Sequence, residues 1–152
     1  MENYTEMSTA KADLKNNVID IKNFEVNYCH FKHKRDNDPK KSHDSVPNIF
    51  GDKHVVRAEK DGYAISFARY KDGATRADVN VVDMVAIGLD ADDSTMEVVQ
   101  ETIDFFKKKN LAFVVHSTHS HRLPGKGYRI RVICFFSRAI SPKEYQKIWF
   151  YF

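Results

Sequence analysis

The sequence has no apolar run of the roughly 20 residues that a membrane-spanning helix needs. It also lacks the opening of a targeted protein. Met1 to Lys11 is polar and acidic, unlike a signal peptide or a transit sequence. Both absences lead to the expectation of a cytoplasmic protein with no membrane partner. Cysteine is scarce: Cys29 and Cys134 are the only two, far apart. Two such thiols are expected to be reduced, not bridged. Cys29-His30 with His33 supplies half of a zinc site, but no matching second half follows, so zinc is not expected there. Neither sign of charge dominates, with 24 Lys and Arg against 21 Asp and Glu and a net charge of +3. That balance permits a polyanionic partner without demanding one.

What is present suits one domain with a modest core, since the chain has 152 residues. Residues 1–20 read as a polar lead-in, and 21–152 as the domain proper. Phe24 to Phe31 (FEVNYCHF) predicts a strand. The charged stretch 32–45 predicts a loop, and Lys32, Lys34, Arg35, Lys40 and Lys41 within it predict a solvated surface. Val55 to Ala58 and Tyr63 to Tyr70 predict short strands. Val79 to Leu89 is nearly all apolar and predicts a strand buried on both faces. Gly88 within it suggests a bulge.

Asp90-Ala91-Asp92-Asp93 comes next, then Ser94 with Glu97 three residues later, the pattern of a capping box. Met96, Val99, Ile103 and Phe106 repeat at helical spacing. Lys107 to Lys109 suit the negative end of the helix dipole, and Asn110 suits a left-handed cap. Leu111 to Val115 and Tyr128 to Phe136 predict two more strands around a loop. Ser141-Pro142-Lys143-Glu144 predicts a second capping box with proline at the first helical position. The expected class is α+β, a largely antiparallel sheet with packed helices. The aromatic run Trp149 to Phe152 would expose an apolar patch, so the sequence is expected to be part of a longer protein.

The chemistry concentrates in three places. Asp90 and Asp92 are two apart on a strand end, so their carboxylates project together. Like charges so placed repel unless a cation sits between them, and oxygen ligands suit Mg²⁺ or Mn²⁺. Two such ions about 4 Å apart activate an attacking hydroxyl and steady a leaving pyrophosphate. The second place is His116-Ser117-Thr118-His119-Ser120-His121. An extended chain there puts Ser117, His119 and His121 on one face, a hydroxyl and imidazole row able to hold phosphate. The third is Arg129 and Arg131, two guanidinium forks on one strand face that suit phosphate oxygens. Carboxylates for metal with imidazole and guanidinium for triphosphate describe nucleotidyl transfer, which depends on positioning and charge neutralisation.

These motifs resemble the archaeo-eukaryotic primase superfamily, nearest the primase-polymerase domains of plasmids, phages and integrated mobile elements. Val85 to Asp92 (VAIGLDAD) is similar to the strand ending in D-x-D. Ser117 to His121 (STHSH) and Arg129 to Val132 (RIRV) are similar to its T-T-x-S-H and R-x-R-V segments. Ile140 to Tyr145 (ISPKEY) and Arg76 to Val79 (RADV) also resemble family segments, so the likeness spans Phe67 to Tyr145. The resemblance implies an RRM-like catalytic core that makes primers or DNA on a single-stranded template. It implies metal at Asp90 and Asp92, the incoming nucleotide's phosphates at Ser120 and His121, and nucleotide or template contact at Arg129 and Arg131. It further implies nucleoside triphosphates, single-stranded DNA and a helicase domain or partner. The family's third acidic residue, on a later strand, has no counterpart in these residues.

Two rival readings remain. His119-Ser120-His121 begins an H-x-H-x-D-H metallohydrolase pattern, but Leu123 and Pro124 stand where the acid and third histidine belong. An RRM-like sheet could instead bind single strands without catalysis, stacking bases on Tyr128, Phe135 and Phe136.

Overall fold

The computed structural model describes residues 23–51 and 62–150. The lead-in 1–20, the strand expected at Val55 to Ala58, and Tyr151 and Phe152 lie outside the described residues. A first group of elements comprises β1 (Glu25–Phe31), β2 (Lys40–Ser45), α1 (Val46–Phe50) and β3 (Ala64–Ser66). Its strands form a three-stranded antiparallel sheet in the order β2-β1-β3. After Phe67 the chain leaves that sheet and enters a second one as β4 (Ala68–Tyr70). A 3-10 turn at Asp78–Asn80 leads into β5 (Val81–Ser94). There follow α2 (Met96–Lys108), β6 (Phe113–Ser117), β7 (Tyr128–Ile140) and α3 (Pro142–Trp149).

The second sheet has the order β4-β5-β7-β6, antiparallel throughout. The fold is α+β with mainly antiparallel sheets, as expected. From β5 to α3 the chain runs β-α-β-β-α, the first five elements of a β-α-β-β-α-β unit. β4 takes the outer place beside β5.

Alternation sorts the second sheet into two buried faces. Ile87, Val115, Ile130, Val132 and Cys134 face Val99, Ile103 and Phe106 of α2. Ala86, Val114, Ile133 and Phe135 face Val26 of β1 and Val46 of α1. The helices therefore cover one side, and the first sheet with α1 covers part of the other.

Several local expectations change. β2 falls in the stretch expected to be a loop. It pairs with β1 from Glu25↔Ser45 to His30↔Lys40, and its polar residues suit an edge strand. Side chains also tie it down: His30 Nδ1 meets Ser42 Oγ at 2.9 Å and His43 Nδ1 meets Asn27 Oδ1 at 3.1 Å. α1 was not foreseen either. Ser45 caps it by accepting from the Asn48 N–H at 3.3 Å. Cys29 is buried beside Phe31 and Tyr70, and burial pushes its thiol pKa up, the reverse of what a zinc ligand needs.

β5 starts later than expected and continues through the aspartates to Ser94, so the cap of α2 passes to Thr95, which accepts from Val98 N–H at 3.4 Å. The expected box of Ser94 with Glu97 is not the cap. Only Ala86 and Ile87 of β5 are buried, so the strand is not covered on both faces along its length. Gly88 pairs regularly with Ile133. The irregularities of the β5–β7 ladder fall instead between Met84 and Ala86 and between Ala91 and Ser94.

Other expectations hold. Asn110 has φ +57°, its N–H bonds to Lys107 O and the Leu111 N–H to Phe106 O, the paired bonds of a Schellman cap. Ser141 and Glu144 form the reciprocal capping box, with Pro142 in the first turn. No helix among the described residues is long and apolar enough to cross a membrane.

Candidate functional site

The far end of β5 and β7 runs past the cover of α1. Register alone brings functional side chains together there. Asp90 on β5 pairs with Arg131 on β7, and Arg131 pairs with His116 on β6. Directly opposed residues share a face, so acid, guanidinium and imidazole form one row across adjacent strands. The row lies on the α1 side of the sheet, because odd positions of β7 such as Ile133 and Phe135 face that way. His116 packs at 5.6 Å against Phe50, which ends α1 and marks the rim of the covered region. Gly88 precedes Asp90 on the same face. A side chain there would only just reach Arg131, 3.9 Å from its Cδ, so the floor beside the row is open.

Asp90 and Arg131 make a bidentate pair: Nε donates to Oδ1 at 2.6 Å and Nη2 to Oδ2 at 2.8 Å. This hydrogen bond, helped by the attraction of Asp90 and Asp92 and opposed by burial, raises the Arg131 pKa above its ordinary value. Both partners remain nearly half exposed, at 45% and 49% of their side-chain surface.

One step further along, the ladder skips. Ala91 pairs with Ile130 and Ser94 with Tyr128, so Asp92 and Asp93 together oppose the single Arg129. That is a β-bulge, and it turns both carboxylates toward one guanidinium. Arg129 reaches Asp92 at 3.2 Å and both oxygens of Asp93 at 3.0 Å. Its hydrogen bond holds the Asp93 carboxyl below the usual carboxylate range. Arg129 is far less exposed than Arg131, at 16%, and its buried Nε has no hydrogen-bond partner. The loop fits tightly against the bulge. A Cβ at Gly127 would lie 2.8 Å from Ser94 O and 3.0 Å from the Asp93 carbonyl carbon.

The His cluster does not stay extended. β6 ends at Ser117, and residues 119–122 form a turn with Arg122 at φ +56°. Ser117, His119 and His121 therefore do not form the expected row. Ser117 pairs with Ile130 and so faces the helices. His119 is exposed and Ser120 half-buried in the turn. His121 is tied to β7 itself: the Arg129 N–H donates to Nδ1 at 3.1 Å. The same Nδ1 lies 3.0 Å from the Arg129 carbonyl oxygen, so either ring tautomer finds a partner on that backbone. The ring packs edge-on at 5.4 Å against Tyr128, which belongs to the helix side. Asp90 is thus joined to Arg131, and Asp92 to Arg129. His121 meets the group through the Arg129 backbone. Sequence reasoning missed His116, Asp93 and Phe50. A strand ending at Ser117 would have flagged His116.

The aromatic residues considered for base stacking are engaged elsewhere. Phe135 is buried and meets Phe24 and Phe67 edge-on at 5.4 and 5.5 Å. Tyr128 carries His121 and the Arg122 guanidinium, the latter 5.6 Å from its ring centre. Phe136 packs against the helix-side cluster. Arg76, in the segment before β5, lies 4.4 Å over the Phe31 ring of the first sheet. Among the described residues no three His, Cys, Asp or Glu side chains gather as a metal cage.

Fold and site define an antiparallel α+β domain with an acid and arginine row at one sheet end. The model of the VapE N-terminal domain family matches residues 6–149, and the chain belongs to that family. The family is a domain of VapE-like replication proteins of phages and plasmids. No curated protein and no solved structure matches the chain.

Proposed function

We propose that this domain serves replication of a mobile element as a primase-polymerase nucleotidyltransferase, binding a metal-complexed nucleoside triphosphate at the Asp90–Arg131–His116 row. The observation that carries the reading is the register. It sets hard carboxylate donors and a forked guanidinium side by side on an open sheet end. Two carboxylates suit Mg²⁺ or Mn²⁺, which keep several waters and take substrate phosphates as further ligands. Asp90 and Asp92 would hold the metal. When bound, it neutralises phosphate charge and lowers the pKa of an attacking hydroxyl.

The protein's own groups supply the rest. Arg131 presents two parallel donors to a phosphate. His121, with Ser120 beside it in the turn, packs on Tyr128 and joins the site only through the Arg129 backbone. Arg129 keeps the bulge in place under Asp92 and Asp93. Single-stranded DNA is the template partner in this reading, and a helicase domain or partner prepares it. The alternative, a non-catalytic single-strand binder, draws less support, because Phe135 is buried and Tyr128 is already covered.

The test is nucleotide binding with and without Mg²⁺, followed by primer synthesis on single-stranded DNA. Asp90→Asn is expected to abolish metal-dependent nucleotide binding with the circular dichroism spectrum unchanged. Undiminished metal-dependent binding by that variant would remove the site.

A further inference from the structure

We propose that the Asp90–Arg131 pair is an exchangeable latch, so that the site accepts a divalent cation and a polyphosphate together and resists either one alone. The inference rests on the nucleotidyl-transfer reading above and concerns the regulation of that same site.

Both oxygens of Asp90 already accept hydrogen bonds from Arg131, at 2.6 and 2.8 Å. A cation that takes Asp90 must break a bidentate, charge-assisted pair. It then leaves a half-buried guanidinium beside the new positive charge. A polyphosphate that takes Arg131 alone has the opposite fault, because Asp90 is freed to repel it. When both ligands arrive, one ion pair is replaced by two: Asp90 goes to the cation and Arg131 to the phosphate. No charge is stranded, and cation and phosphate also neutralise each other. Each ligand therefore raises the affinity of the other, and by linkage the two effects are equal.

The neighbouring pair identifies which arginine moves. Arg131 is 45% exposed and holds one acid. Arg129 is 16% exposed, holds two acids across the bulge, and is backed by the hydrogen bond from its own N–H to His121. Arg129 is the fixed member and Arg131 the exchangeable one. The open floor at Gly88, next to the Arg131 stem, gives the side chain room to swing.

The experiment measures Mn²⁺ binding by electron paramagnetic resonance, and dATP binding by calorimetry in EDTA, each alone and then with the other present. Wild type is expected to bind each weakly alone, with a mutual enhancement of roughly 5- to 150-fold. Arg131→Gln is expected to bind Mn²⁺ alone more tightly than wild type, to bind dATP more weakly, and to lose the enhancement. Arg131→Lys keeps the charge without the fork and should fall between them, which guards against a folding defect in the first variant. Binding of both ligands without enhancement, or equal Mn²⁺ affinity in wild type and Arg131→Gln, overturns the latch while the nucleotidyl reading stands. Absence of binding under every combination overturns both.

Discussion

Arg129 and Arg131 are two residues apart on one strand, yet the ladder gives them different work. Arg131 meets one acid in regular register, whereas Arg129 meets two because of the bulge. Replacing Arg129 with Met keeps the stem and removes the charge, leaving Asp92 and Asp93 without their shared guanidinium. The melting temperature is expected to fall by roughly 5 °C, and added salt should restore part of the loss by screening the two acids. Calorimetry at low and high salt checks both parts. Glu144 gives a residue-level pH signature. Arg138, the Ser141 N–H and the Ser141 hydroxyl hold its pKa down to about 2. A free glutamate titrates near 4.3. Since the folded value is depressed, its contribution is complete above about pH 4.3 and is lost as pH falls toward 2. Thermal melts between pH 5 and 2 should show this slope, and Glu144→Gln should flatten it.

At the scale of elements, the loop joining β6 to β7 and the bulge in β5 are one unit. Gly127 is where they touch, with Ser94 O only 2.8 Å from where a Cβ would stand. The obstacle is backbone, so it cannot swing aside. Gly127→Ala is expected to cost about 1–3 kcal/mol and to disturb Arg129 and Asp92. Urea unfolding reads the first effect, and metal-dependent nucleotide binding reads the second. Helix ends offer a milder test. Thr95→Ala removes the side chain that caps α2 and should cost about 1 kcal/mol. Ser94→Ala, by contrast, should leave the helix end unaffected, because Ser94 belongs to the strand.

At the scale of the molecule, one sheet is the floor of two apolar clusters, with helices on one side and the first sheet with α1 on the other. Ile87 is fully buried at its centre. Ile87→Ala should destabilise the fold by about 2–5 kcal/mol, seen in denaturant melts. Both thiols are buried, and burial alone pushes Cys134 up to about 11. Neither should react with a thiol reagent at neutral pH until the chain opens, so the labelling rate should track unfolding as urea is raised.

Much of this was legible in the residues. The apolar repeat in 96–106, the cap at Asn110, the box at Ser141 and the two strands flanking the His-rich loop follow from local periodicity and capping chemistry, which act over a few neighbouring positions. Asp90 with Arg131, as members of one site, could be named for the same reason, since each carries its chemistry in its side chain. What local pattern does not carry is partnership across the chain. β2 is a strand because β1 offers its backbone, although nothing apolar in Lys40–Ser45 says so. His116 joins the row only because it pairs with Arg131, and His121 is turned onto the Arg129 backbone only because β6 stops at Ser117. The bulge that sets two aspartates against one arginine is likewise a property of the pairing between β5 and β7. The sequence by itself determined which side chains carry charge and where helices and most strands begin. Tertiary structure alone decided which of those charges meet, because register between strands is set by long-range packing of both faces of the sheet.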